Sequence, residues 1–301
     1  MRWGRWIGQG ILVVVLAWFV GGELLRQWSG FNAADLQVSI APGWVLASAG
    51  LAIATFVVLI QSWRLTLGGW GQRLRSRDLA EVWFIANLGR YVPGKVWSIA
   101  GMIVLATRKG VAAWAASAAA IVVQALGLAT AVAMAGVTLP RTGTGVRLVV
   151  AAGLAGAVLL ALTSSRVIET IARRIPRLAG LRPLPMGALL GAGASTAIGW
   201  IGYGASLWAL VRGLGLPDGL PLAVATGGFA LAYCAGLLAL FAPGGIVVRE
   251  GVLVAILAPH LGPGPALALS LGSRVVLTAA ELVAATPFVY SWLRSAPRAT
   301  G

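Results

Sequence analysis

Apolar runs of helix length alternate with short arginine-rich stretches along nearly the whole chain. Residues 7–25, 44–63, 111–137, 146–163, 186–211 and 266–292 each predict a membrane-crossing helix, because each run is about as long as a hydrocarbon core requires. Two other apolar stretches are interrupted. In the first, residues 79–107, the arms 79–91 and 96–107 flank a Pro93-Gly94 pair that cannot continue a helix. Each arm reaches only ~18–20 Å as helix, short of the ~30 Å core, so the pattern predicts a re-entrant hairpin. In the second, residues 221–258, Pro243, Gly244 and Gly245 interrupt the run; the return arm is again too short to span, although the descending arm is long enough.

The arginines orient these elements. The loops 64–78 and 166–182 and the pair Arg108 and Lys109 are basic, which puts them, and both termini, in the cytoplasm by the positive-inside rule. The first hairpin then enters from the cytoplasm and the second from outside. The expected fold is an all-α polytopic membrane protein with about six transmembrane helices and two re-entrant broken-helix hairpins in an inverted-repeat-like arrangement. Residues 1–301 read as one integral membrane domain, with a first half at 7–163, a second at 186–293 and a basic cytoplasmic linker at 164–185. Trp28, Trp44, Trp63 and Trp70 fit interfacial anchors. Gly187 and Gly191 have the spacing that permits close helix contact.

Composition narrows the function. Of the 301 residues 59% are hydrophobic and 10% charged, and mean hydropathy is +0.89, far outside the soluble range. The net charge of +15 would suggest nucleic acid in a soluble chain, but here most arginines lie between apolar runs and face lipid headgroups instead. His260 is the only histidine and Cys234 the only cysteine, so neither a histidine-based metal cluster nor an internal disulfide is expected. No HExxH, CxxC or Walker pattern is present, no Ser-His-Asp set stands out, and Gly191-Ala192-Gly193 follows no strand. No polar block approaches the ~100 residues of an extramembrane catalytic domain. We expect no enzyme activity, metal or cofactor, and a function carried out within the membrane.

The chemistry therefore concentrates at the two breaks. After each, a helix starts near mid-bilayer with unpaired N–H groups and the positive end of its dipole, a favourable place for an anion. Arg90, Tyr91, Pro93, Gly94 and Lys95 mark the first break; Pro243, Gly244, Gly245, Arg249 and Glu250 mark the second. Arg274 and Glu281, seven residues apart, share one face of the last helix. A charge at this depth costs at least ~2.5–3.5 kcal/mol and usually marks a site or pathway. Phosphate is the obvious anionic guest, while Glu250 and Glu281 could meet a basic headgroup or carry a proton. Glu81, Asn87, Gln124 and Tyr233 could line the same cavity. The same charges could instead form ion pairs that hold the hairpins in place.

At these residues the chain resembles the lysylphosphatidylglycerol synthase transmembrane-domain family, the membrane half of the multiple peptide resistance factor. Residues 89–97, from Gly89 through Arg90, Tyr91, Pro93, Gly94 and Lys95 to Trp97, and residues 243–251, from Pro243 through Arg249 and Glu250 to Gly251, match its two signatures in order. The resemblance implies a flippase-like module, here without the synthase domain of the longer members. Expected partners are membrane lipids with an anionic phospholipid or polyprenyl-phosphate-linked headgroup. The corresponding function is movement of an anionic or aminoacylated phospholipid, phosphatidylglycerol in type, between the leaflets of the cell membrane. Two alternatives are a non-transporting subunit that anchors or regulates a lipid- or glycan-synthesising partner, and an intramembrane enzyme acting on a lipid headgroup.

Overall fold

The computed structural model describes residues 39–89, 96–139, 153, 156, 164–174, 180–239 and 247–295. Nine helices are ordered along these residues: α1 Pro42–Gly69, α2 Ser76–Leu88, α3 Val96–Arg108, α4 Ala113–Thr138, α5 Ser165–Arg174, α6 Met186–Gly213, α7 Leu222–Leu238, α8 Val248–Leu261 and α9 Pro263–Ser295. Three described helices, α1, α4 and most of α9, are long and apolar enough to cross a membrane. The expected span at 186–211 is the 28-residue α6, which carries more Gly, Ser and Thr because it makes a close helix contact along its length. The expected spans 7–25 and 146–163 fall outside the described residues, apart from Gly153 and Gly156.

That contact is the antiparallel pairing of α1 with α6. At one end the Ala41 N–H donates to the Gly213 carbonyl at 2.9 Å. Along the seam Ser48 and Ser206 exchange hydroxyl bonds with each other's carbonyls, at 2.8 and 2.9 Å, and Ser62 meets Thr196 at 2.9 Å. At the other end Gly69 lies against Leu184 and Ala188. Lipid is as apolar as leucine, so helices in a membrane associate through close packing and interhelical hydrogen bonds rather than the hydrophobic effect. Small residues supply both here. The close approach falls at Gly199 and Gly202, where an added Cβ would lie 2.7 Å from Leu59 and 2.2 Å from Thr55. The expected pair contributes less: Gly187 faces open space and Gly191 only touches Leu65.

Each half presents a long helix, a helical hairpin and another long helix: α1, α2–α3, α4, then α6, α7–α8, α9. The hairpins fold back on themselves. In the first, Gly89 abuts the Trp97 backbone and Ala86 abuts Gly101, while Lys109 reaches back to Asp78. In the second, Gly228 packs on Leu253 and Ile256. Because α1 and α6 run antiparallel, the hairpins are anchored at opposite ends. The first is tied to the basic end by Ala112 N–H to Gln72 (3.0 Å) and by the Trp70 indole, which bonds Arg182 O at 2.9 Å and meets Trp114 edge-on. The second closes at the far end, where Gly219 approaches the His260 carbonyl. The basic loops thus share one end, and the molecule is an all-α membrane protein with inverted halves.

Candidate functional site

The base of the first hairpin is a charge clasp. Asp78, buried at the start of α2, accepts from Arg75 at 2.8 Å and from Lys109 at 3.0 Å; Glu81 takes Lys109 at 2.8 Å. The hydrogen bond from Arg75, and secondarily Lys109, holds the Asp78 carboxyl below its ordinary range against the opposing effect of burial. Glu81 and then Asp78 raise the Lys109 ammonium above its own. Glu81 therefore belongs to this clasp at the basic end and not, as the sequence suggested, to a cavity at the break. Asn87, nearer the break, donates to the Trp83 carbonyl of its own helix at 2.8 Å. Arg90, Tyr91, Pro93, Gly94 and Lys95 lie outside the described residues, as do Pro243, Gly244 and Gly245.

The start of α8 gathers the remaining candidates. Val247 adopts φ +75°, a left-handed conformation that strains a β-branched residue. Its N–H donates to Oε2 of Glu250 at 2.6 Å. Glu250 thus satisfies one of the orphan donors of the helix start and favours the positive end of its dipole. Its other oxygen pairs with Nη1 of Arg274 from α9. One buried carboxylate therefore ties the strained entry of α8 to the last helix. Glu281 is also buried on α9, seven residues beyond Arg274.

Arg249 turns the other way. Its guanidinium packs over the Phe229 ring, 4.7 Å from the centroid, and Nη2 is buried with no hydrogen-bond partner among the described residues. Phe229 stacks on Tyr203 at 4.7 Å; Tyr203 meets Phe56 at 6.3 Å, and Phe56 meets Phe84 at 6.1 Å. An aromatic path thus connects the hairpin that carries Arg249 to the hairpin that carries Phe84. Trp200, fixed by its bond to Thr130 at 3.0 Å, and Tyr233 extend it on one side. A ring face attracts a cation but accepts none of its in-plane N–H bonds. Arg249 therefore retains a buried donor with no hydrogen-bond partner among the described residues, whereas Glu250 and Arg274 pair with each other.

The sequence suggested Arg249, Glu250 and Arg274, and α8 and α9 bring these three together. It missed Phe229, Tyr203, Phe56 and Phe84. Their one sequence signal is an arginine in an apolar stretch, which needs something to lie against; which aromatics serve is set by tertiary packing. Among the described residues no three His, Cys, Asp or Glu come together as metal ligands would.

These features define a multi-pass helical membrane protein in which Arg249, Glu250 and Arg274 gather at the start of α8. The chain belongs to the family described as the lysylphosphatidylglycerol synthase TM region, which matches residues 5–285. A comparison with curated proteins finds no match. The family is the membrane part of that synthase, which gives this chain a role connected with membrane lipids.

Proposed function

We propose that the protein is a flippase or scramblase that moves an anionic phospholipid, phosphatidylglycerol or an aminoacylated form of it, between leaflets. It acts in the cell membrane with both termini cytoplasmic, and moves the lipid without changing it chemically. The headgroup enters the polar region between the hairpins while the acyl chains stay in lipid. Arg249 carries this reading: its buried Nη2 has no hydrogen-bond partner among the described residues. Leaving a charged donor unsatisfied is costly, and a phosphate oxygen supplies the charge-assisted bond it lacks. The helix starts beside the breaks favour the same charge. Lys95, with Arg90, Tyr91, Pro93 and Gly94 around it, contributes the first hairpin's share, and Pro243, Gly244 and Gly245 mark the second's. Arg274 and Glu250 form an exchangeable pair: a passing phosphate competes for Arg274, and an aminoacyl ammonium competes for Glu250. Glu281 lies on the same helix as the next acidic partner.

The test is translocation in proteoliposomes. Fluorescent phosphatidylglycerol is followed with a membrane-impermeant quencher, comparing wild type with Arg249→Gln and Lys95→Ala. A charge-assisted hydrogen bond contributes ~1.5–3 kcal/mol, so Arg249→Gln should slow exchange about 10- to 100-fold. A wild type that never exceeds empty liposomes, with either lipid and under an imposed potential or pH gradient, refutes transport. The protein would then be a subunit for a lipid-synthesising partner.

A further inference from the structure

A second cation is set at the opposite end from the basic loops. Arg212 stands in the last turn of α6, beside the seam that pins the start of α1 to the end of α6. Its guanidinium lies 3.9 Å from the centroid of the Trp208 ring and 5.5 Å from that of Trp44, and the two indoles meet edge-on at 6.4 Å. Gly213 permits this arrangement. A Cβ there would lie 3.0–3.1 Å from the side chain and backbone nitrogen of Val45, so α1 approaches at the turn that carries Trp44. Asp218 lies 3.4 Å from one terminal nitrogen but is itself 78% exposed.

Three observations specify what such a site takes. First, the guanidinium lies against two indoles, and its edge meets only an exposed carboxylate, Asp218, at 3.4 Å, a weak competitor for an anion with several oxygens. Second, the site is open: the Arg212 side chain is 31% exposed and Trp44 is 43% exposed. Third, Trp44 stands in the first turn of α1, a helix long and apolar enough to cross a membrane, and that end of α1 exposes apolar side chains, Ile40 at 72% and Leu46 at 71%. An arginine on indoles at the end of a membrane-crossing helix matches a phosphodiester with acyl chains attached, which can lie along the exposed apolar surface of that helix; a free phosphate gains nothing from it. By the positive-inside rule this end faces outward. We infer that Arg212, held by Trp208 and Trp44, is a docking site for the phosphate of an anionic phospholipid in the outer leaflet. The site lies at the opposite end of α6 from the basic loops, apart from Arg249, and binds whether or not the protein transports.

Native mass spectrometry of the full-length protein, released from detergent, tests this. Wild type and a mass-tagged Arg212→Gln variant share one sample, titrated with dioleoylphosphatidylglycerol and, separately, with dioleoylphosphatidylcholine. The variant should retain about one phosphatidylglycerol fewer per molecule at matched lipid, with phosphatidylcholine retention unchanged. Inorganic phosphate at millimolar excess should not erase the difference. Asp218→Asn removes the competing carboxylate from an exposed position and should raise phosphatidylglycerol retention; it also reads the site if Arg212→Gln folds poorly. Equal retention by a folded Arg212→Gln, equal loss for both lipids, or no gain in Asp218→Asn overturns the inference. Loss of transport in Arg249→Gln with retention intact would separate the two sites.

Discussion

The Glu250–Arg274 pair can be measured directly. Glu250→Gln preserves side-chain shape and can still accept the Val247 N–H, but it removes the charge that faces Arg274. Removing one partner of a buried ion pair costs ~3–5 kcal/mol, because the other is left uncompensated. The Glu250 side chain is 7% exposed and that of Arg274 26% exposed, so solvent screens the arginine end and the expected loss is about 2–3 kcal/mol. Arg274→Met should cost a similar amount by stranding Glu250. The double variant buries neither charge, and should be more stable than the summed singles predict by roughly 1–3 kcal/mol. Unfolding in mixed micelles, titrated with a denaturing detergent and followed by tryptophan fluorescence, gives all three values in one assay. If the single losses simply add, Glu250 and Arg274 do not act as a pair. The bridge from the start of α8 to α9 would then fall with it.

Four further outcomes follow from separate parts of the fold. Asp78 has a folded pKa below its ordinary 3.8, so the stability it adds is complete above that pH and lost as pH falls through the folded value. Lys109 has one above its ordinary 10.5, so its share is complete below 10.5 and lost as pH rises through the folded value. The melting-temperature gap between wild type and Asp78→Asn should therefore be flat from about pH 5 to 9 and close in acid; a gap that widens in acid would contradict the clasp. Gly202→Ala drives a Cβ to 2.2 Å from the Thr55 hydroxyl and should destabilise by ~1–3 kcal/mol, largely recovered when Thr55→Ala is added. Gly187→Ala meets open space and should stabilise by ~0.5–1 kcal/mol through helix propensity, both read by the same micelle unfolding. Val247→Gly places at φ +75° the residue suited to it and should be neutral or stabilising by about 1 kcal/mol; a marked loss would mean the side chain, not the strain, matters there.

Much of this protein is legible in its order of residues. Segments too apolar for water, separated by polar and arginine-rich stretches, determine the helices one segment at a time, because a bilayer requires each segment to satisfy its own backbone. Arg249, Glu250 and Arg274 could be singled out for the same local reason: charge is rare in such runs. Their division of labour could not. Glu250 and Arg274 are 24 residues apart, on two helices, and Phe229 is on a third. Only packing decides that the carboxylate pairs with Arg274 and leaves Arg249 on a ring. The glycines show the same limit, since the spacing of Gly187 and Gly191 permits a contact that the structure makes instead at Gly199 and Gly202. Arg212 between its indoles, from two helices joined at their ends, is likewise a product of tertiary structure. Local chemistry determines where a charge is costly; the fold determines which neighbour offsets that cost.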